Sequence, residues 1–172
     1  MRNKRDSIET LISDYEPHIL GISEASFWSN HDTSDVQIQN YNLFFANTLQ
    51  NPQLNVSRVA VYVHESLSVK VREDLMSESF SSIWLEVGQP RQKKFLVSNV
   101  YRDWQYMRQE NHDSSSIPHQ LLRWEGFLQQ WESAISLGLE IHLQRDLNLN
   151  FLDFTSLNGV SKKVRAEKSS NN

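Results

Sequence analysis

Apolar residues recur along the chain in two rhythms, one typical of amphipathic helices and the other of buried strands. Residues 2–15 carry apolar side chains at helical spacing, and Pro17 ends that segment. A second helical pattern starts near Pro118 and ends at Gly138, where a glycine favours a helix C-terminus. We therefore expect two amphipathic helices. Their predicted apolar faces are Ile8, Leu11, Ile12 and Tyr15 in the first helix and Leu121, Trp124, Leu128, Trp131 and Ile135 in the second.

Short runs rich in Val, Ile and aromatic residues predict strands between and after the helices. The first run, 18–23, follows the first helix, and the last, 139–147, follows the second. Gly88-Gln89-Pro90-Arg91 has turn chemistry and predicts a hairpin between the two runs that flank it. The other predicted strands are 41–46, 58–64, 67–72, 80–87 and 93–100, and the predicted loops are 25–40, 47–57 and 103–116.

This order of elements predicts an α/β architecture, with mixed sheets and helices outside them. The chain has 172 residues, of which 38% are hydrophobic and 22% charged, as expected for one folded domain. Past Phe154 the periodicity stops, so we expect a domain over 1–154 and a disordered basic tail over 155–172. The tail has four basic residues and one acidic residue, a charge of +3, whereas the whole chain has −4.

Composition also excludes several kinds of chemistry. The chain has no cysteine, which excludes disulfides, thiol catalysis and thiolate zinc sites. No apolar run reaches membrane-spanning length, and no charged-then-apolar leader begins the chain. We therefore expect an intracellular protein without a membrane partner.

Polar side chains follow three of the predicted strands at their carboxyl ends. Glu24 follows the first run, Tyr101 and Arg102 follow the hairpin, and Asp146 and Asn148 end the last run. Because Asp146 and Asn148 are two residues apart, an extended backbone would place both on one face of the sheet. A carboxylate can accept a proton from water, and an amide can donate to a phosphate oxygen. We therefore predict that these residues converge on one rim.

Each of these residues also has a purely structural interpretation. Asp146 and Asn148 are typical of a capped turn. Glu24 could be a solvated carboxylate at a strand end, and Tyr101 a half-buried strand residue. Arg102 could pair with a nearby surface carboxylate.

The order of motifs resembles the endonuclease/exonuclease/phosphatase superfamily, and more narrowly the apurinic-type endonuclease domain of non-LTR retrotransposons. The resemblance covers roughly residues 2–151 and rests on LISDYEPHILGISEASF, RVAVYVHESL, SSIWLEV, FLVSNVYR and DLNLNF. It implies two sheets packed as a sandwich with a helical layer outside each, a four-layer α/β/β/α fold. It also implies hydrolysis of phosphodiesters with Mg²⁺ as cofactor and DNA as partner, a chemistry compatible with the nucleus.

The resemblance assigns a role to each residue of the predicted rim. Glu24 matches the glutamate that binds the metal. Tyr101 matches the tyrosine that contacts the scissile phosphate, with Arg102 as its substrate-binding neighbour. Asp146 matches the aspartate that orients or deprotonates the attacking water, and Asn148 the asparagine that fixes that aspartate and the phosphate.

The chain also departs from the family pattern. The family's first strand, which ends in a catalytic Asn, would precede residue 1, and the late Ser-Asp-His motif has no counterpart after Asn148. Arg145 stands where the family has Gly. We therefore expect an incomplete sandwich that binds Mg²⁺ weakly and does not nick DNA. The hypotheses are an active DNA endonuclease, a catalytically inactive fragment of one and, third, a phosphatase acting on lipids or nucleotides.

Overall fold

The computed structural model describes residues 5–28, 33–45, 56–76, 81–89, 91–101 and 117–146, which form two helices, seven strands and two short 3-10 turns. The helices are α1 (Arg5–Tyr15) and α2 (Ile117–Ser136). The strands are β1 (Ile19–Trp28), β2 (Tyr41–Phe45), β3 (Val56–His64), β4 (Ser68–Val71), β5 (Ser81–Gly88), β6 (Phe95–Tyr101) and β7 (Glu140–Asp146), and the 3-10 turns are Thr33–Val36 and Glu73–Leu75.

The strands form two sheets. One has three antiparallel strands in the order β1-β3-β2, and the other has four in the order β4-β5-β6-β7. Within the second sheet β5 and β6 form the predicted antiparallel hairpin. β7 runs parallel to β6 because α2 carries the chain back between them. The predicted α/β class is confirmed.

The largest core lies between the two sheets. Alternate residues of β3 point into it, and alternate residues of β5 meet them from the other sheet. The face of β3 that points away from this core carries Tyr62, which packs with Ile8 of α1. The outer face of the second sheet carries Trp84 and Leu96, which pack with Ala134 of α2. The layers are therefore helix, sheet, sheet and helix. The inter-sheet core residues of β3 and β5 are Val59, Val61, Val63, Ile83, Leu85 and Val87.

The predicted apolar face of α1 is only partly right. Ile8 is buried and Ile12 packs beside it, whereas Leu11 and Tyr15 are 40% and 77% exposed. Ile8 and Ile12 are one turn apart, and this narrow stripe covers the outer face of a three-stranded sheet.

Among the helices that the structure describes, none has the length and apolar character needed to cross a membrane.

The predicted apolar face of α2 is only partly right. Trp124 and Trp131 are partly buried and pack against core clusters, whereas Leu128 and Ile135 are about half exposed. Among the side chains of α2 that the structure describes, the buried ones are Phe127, Gln130 and Ala134. The sequence pattern did not predict this face because one of its buried residues, Gln130, is polar. The Gln130 side-chain oxygen accepts hydrogen bonds from Ser82 Oγ and Trp84 Nε1, each at 3.2 Å, which satisfies it in the core. The side chain of Leu121 lies outside the described side chains.

The prediction that the first strand ends at Ser23 was wrong, and so was the part of the predicted 25–40 loop that covers residues 25–28, whereas 29–32 lie outside the described residues. β1 continues to Trp28, and Ala25 and Phe27 are fully buried. Alternation along β1 is interrupted by an irregularity in the pairing with β3. A polar stretch that crosses such an irregularity has no simple period of two, so the pattern resembles a loop.

Candidate active site

The irregularity in β1 is a wide bulge that contains Glu24. Ser23 pairs with Val59 and Phe27 pairs with Ser57, so three residues of β1 lie opposite one residue of β3. Glu24 has a left-handed backbone, with φ of 56°, and its side chain is exposed. This conformation costs a non-glycine residue roughly 1–3 kcal/mol and clusters at functional sites. The bulge therefore gives the Glu24 side chain a direction different from the one that a regular strand would give it.

Arg58 is the single β3 residue opposite the bulge. Its Nη1 donates to Ser26 Oγ at 3.3 Å, and its backbone N–H donates to Ser81 Oγ at 3.2 Å. Ser26 belongs to the bulge and Ser81 begins β5. Arg58 therefore connects the bulge of one sheet to the first residue of a strand in the other, and it places a positive charge at the bulge.

Glu24 and Tyr101 meet across the two sheets. The Tyr101 hydroxyl donates a hydrogen bond to Glu24 Oε1 at 3.2 Å, and the tyrosine side chain is buried. The donor fixes the orientation of the carboxylate. These residues are 77 positions apart in the chain, and they come together because β1 and β6 both end at this side of the sandwich.

Asp146 ends β7 directly beside Tyr101. The two residues are paired in the parallel register of β6 and β7. The structure therefore brings Glu24 and Tyr101 together and places the backbone of Asp146 beside Tyr101. Arg102 and Asn148 lie outside the described residues. We call this end of the sandwich the rim, defined by Glu24, Arg58, Tyr101 and Asp146.

Asn99 braces the two strands that carry Glu24 and Tyr101. It lies on β6, is 1% exposed, and its Nδ2 donates to the carbonyl oxygens of Ile22 and Ala60, both at 3.0 Å. Ile22 and Ala60 face each other in the β1–β3 ladder, one step before the bulge. One amide group thus ties the second sheet to the first at the point where the pairing changes.

A second polar side chain lies beside Asn99 in the space between the sheets. The Gln144 side-chain oxygen is buried there without a hydrogen-bond partner in the structure. An added Cβ at Gly21 would lie 1.7 Å from this oxygen, so a larger residue at Gly21 would require the glutamine tip to move. Near the rim, Asn99 of β6 and Gln144 of β7 thus place polar groups between the two sheets. The core between β3 and β5 is apolar by contrast.

Glu24 is suited to bind a hard divalent cation. Mg²⁺ prefers oxygen ligands, keeps several waters, and is commonly held by one or two carboxylates. Glu24 offers an exposed carboxylate whose orientation is fixed by Tyr101. Within the described part of the chain, no three His, Asp or Glu residues are grouped in a way that could hold a metal ion. Glu24 is the one carboxylate of this end of the sandwich whose side chain the structure describes, since the side chain of Asp146 lies outside the described ones.

Sequence reasoning missed Arg58 and Asn99 as site residues. Arg58 starts an apolar run and resembles an ordinary charge at a strand edge. Asn99 was the better signal, because it is a polar residue inside the strand-like run FLVSNVY. A buried side-chain amide needs hydrogen-bond partners, so this residue indicates a polar contact inside the fold. The sequence could not predict which groups accept these hydrogen bonds, because Ile22 and Ala60 belong to strands far away in the chain.

Comparison with protein-family models, with curated proteins and with solved structures finds no match for this chain.

Proposed function

We propose that the rim binds Mg²⁺ and a DNA phosphodiester, and that the chain carries the central part of a Mg²⁺-dependent endonuclease of a retroelement. The observation that carries this proposal is the hydrogen bond between Tyr101 and Glu24 across the two sheets, with Asp146 paired to Tyr101. These are residues to which the family resemblance assigns phosphate, metal and water roles. Glu24 reaches Tyr101 from a bulge with a strained backbone, and this strain supports the assignment.

In this proposal Glu24 holds the metal, and Tyr101 orients Glu24. A bound Mg²⁺ would offset the negative charge that builds on the phosphate as water attacks. The Tyr101 hydroxyl has one proton, which it donates to Glu24 in this structure; it would donate that proton to a phosphate oxygen instead if a metal ion took its place at the Glu24 carboxylate. Arg58 adds a positive charge at the bulge, which favours the approach of a phosphate group.

Asp146 is proposed to orient the attacking water and accept its proton. Its backbone position at the end of β7 places it at the strand terminus next to Tyr101. An ionised carboxylate can perform this step at neutral pH. Arg102 and Asn148 complete the proposed set as phosphate contacts.

A second candidate is a domain that binds Mg²⁺ and phosphate without hydrolysis. It is favoured by the positions of the histidines whose side chains the structure describes. His18 and His64 lie at the end of the sheet opposite the rim, and His142 pairs with Val97, four residues before Asp146. Among those histidines, none is at the rim to stabilise a developing charge or to move a proton.

Plasmid nicking distinguishes the two candidates. The full chain is incubated with supercoiled plasmid and Mg²⁺, and relaxation is compared with that produced by Glu24→Gln and Asp146→Ala. An active endonuclease loses on the order of 10²–10⁴ in rate in either variant. Glu132→Gln, an exposed carboxylate on α2, is the matched control and should retain the wild-type rate.

Calorimetric titration with Mg²⁺ separates binding from catalysis. Mg²⁺ binding that weakens in Glu24→Gln, without relaxation of the plasmid, would favour the binding domain over the enzyme. If the wild-type chain binds no Mg²⁺, or if the Glu24 substitution leaves binding and nicking unchanged, the proposed rim is wrong.

A further inference from the structure

Three rings lie in one row across the three-stranded sheet, at the end opposite the rim. His18 directly precedes β1, and its carbonyl accepts the backbone N–H of His64 at 2.8 Å, so the two histidines face each other across the ladder. Tyr41 pairs with His64 on its other side. The His18 and His64 ring centroids are 5.7 Å apart, with the rings at 70°. Residues opposite each other in an antiparallel ladder share a face, so the two imidazoles lie on one surface.

The backbone around the two histidines is held in place. The Tyr41 hydroxyl donates to the carbonyl of Pro17 at 2.7 Å, directly before His18. The Tyr41 ring also packs edge-on against His64, with centroids 5.2 Å apart. Tyr41 itself is buried. The two imidazoles are therefore presented by a fixed frame, which reduces the entropy lost when both bind one ligand.

Ser66 orients the His64 ring. Its backbone N–H donates to His64 Nδ1 at 3.2 Å, and its Oγ lies 2.8 Å from the same nitrogen, so the neutral ring has its proton on Nε2 in this arrangement. A metal ion bound at Nε2 would require the other tautomer, in which Nδ1–H donates to Ser66 Oγ instead of accepting from the Ser66 N–H. Metal-binding histidines are commonly oriented by such a hydrogen bond from the other ring nitrogen.

We propose that His18 and His64 form a binding site for a divalent first-row transition metal ion of the class that imidazole prefers, such as Cu²⁺ or Zn²⁺. Two imidazoles on one tetrahedral ion, with metal–nitrogen distances of about 2.0–2.1 Å, place their ring centroids about 5 Å apart. The observed separation of 5.7 Å is close to that value, and the His18 side chain is exposed, so it has room to adjust. Water completes the coordination.

The site differs from the rim in the metal that it selects. Imidazole favours Cu²⁺, Ni²⁺ and Zn²⁺, with Cu²⁺ the tightest, whereas the carboxylate of Glu24 favours Mg²⁺. Exposed carboxylates of Glu16 and Glu65 flank the two histidines in the chain and favour the approach of a cation. The proposal is independent of the function proposed for the rim.

Titration of the full chain with Cu²⁺, Zn²⁺ and Mg²⁺ by calorimetry tests this proposal. We expect one Cu²⁺ per chain to bind through two nitrogens, which the hyperfine structure of the Cu²⁺ electron paramagnetic resonance spectrum counts. His18→Gln and His64→Gln should each remove one nitrogen from the spectrum and lower the affinity at least about tenfold. Ser66→Ala should weaken binding by roughly 10–100-fold while both nitrogens remain.

Two controls make the result decisive. His142→Gln changes another exposed histidine that lies beside Glu140, and Glu24→Gln changes the rim; both should leave Cu²⁺ binding unchanged. His18 is exposed, so His18→Gln should keep the fold, which circular dichroism verifies. If His64→Gln does not fold, the Cu²⁺ binding of His18→Gln alone tests the proposal. Wild-type affinity and an unchanged nitrogen count in His18→Gln would overturn the proposal.

Discussion

Arg72 is the centre of an ion network on the outer side of the four-stranded sheet. Its guanidinium donates to Asp74 at 2.8 and 2.6 Å and to Glu86 at 3.0 Å, and Lys94 donates to the other oxygen of Glu86 at 2.7 Å. The side chains of Arg72 and Glu86 are only 11% and 12% exposed. The hydrogen bond from Lys94 and the charge of Arg72 hold the pKa of Glu86 below its usual value, and Arg72 lowers the pKa of Asp74.

Glu86→Gln should lower the free energy of unfolding at pH 7 by about 1–3 kcal/mol, because Arg72 keeps only one carboxylate partner. The Glu86 carboxyl has a lowered pKa in the folded state, so its contribution is present above its unfolded pKa of about 4.3 and is lost as the pH falls below it. Urea unfolding at several pH values measures both effects. The difference between wild type and variant should shrink below about pH 4.

Lys94→Ala is the matched comparison for this network. The Lys94 side chain is 59% exposed, so its removal should cost less than about 1 kcal/mol. Equal costs for the two substitutions would show that the buried Arg72–Glu86 contact contributes nothing beyond a surface pair.

The bulged strand β1 depends on a partner from the other sheet. The positive φ of Glu24 and the loss of regular pairing both weaken this part of the strand. Asn99 compensates, because its two hydrogen bonds reach the ladder one step before the bulge. Arg58 connects the far side of the bulge to β5. The site carboxylate is thus positioned by contacts from β3, β5 and β6.

Asn99→Leu should destabilise the protein by about 1–3 kcal/mol, because a side chain of similar shape removes the two cross-sheet hydrogen bonds to the carbonyls of Ile22 and Ala60. Asn99→Asp should be worse at neutral pH than in mild acid, because only the protonated carboxyl can donate to a carbonyl. Thermal unfolding at two pH values measures this.

Ser98→Ala is the control for the Asn99 substitutions. Ser98 is the neighbouring residue on β6, is fully buried, and its hydroxyl has no hydrogen-bond partner in the structure. Its removal should change stability little, since no hydrogen bond is lost. A large cost at Ser98 and a small one at Asn99 would contradict the bracing role.

At the scale of the whole molecule, β1 and β7, which are edge strands of the two described sheets, lie close together. Among the described strands, β1 pairs only with β3 and β7 pairs only with β6, and β1 also contacts β6 and β7 across the sandwich. β1 is ten residues long. A long strand edge exposes backbone groups that can pair with another chain.

The purified chain should therefore associate as its concentration rises and unfold with poor cooperativity on heating. Analytical ultracentrifugation over a concentration series, followed by calorimetry of the same samples, measures both. A monomer at all concentrations with one sharp and reversible transition would contradict the prediction.

The sequence by itself determined the elements and the place where the site is built. Period-two runs located the strands, turn residues located the β5–β6 hairpin, and polar residues at strand ends predicted that Glu24 and Tyr101 would converge. These features depend on neighbours in the chain, because alternation and turn chemistry are local properties.

Only the tertiary structure decided how those elements meet. The bulge at Glu24 is a change of register with β3, the buried face of α2 includes Gln130 because Ser82 and Trp84 bind it, and His18 faces His64 only because β1 pairs with β3. Each of these features depends on a partner distant in sequence. A local pattern cannot encode a register or a cross-sheet distance, because both are set by packing among all the strands at once.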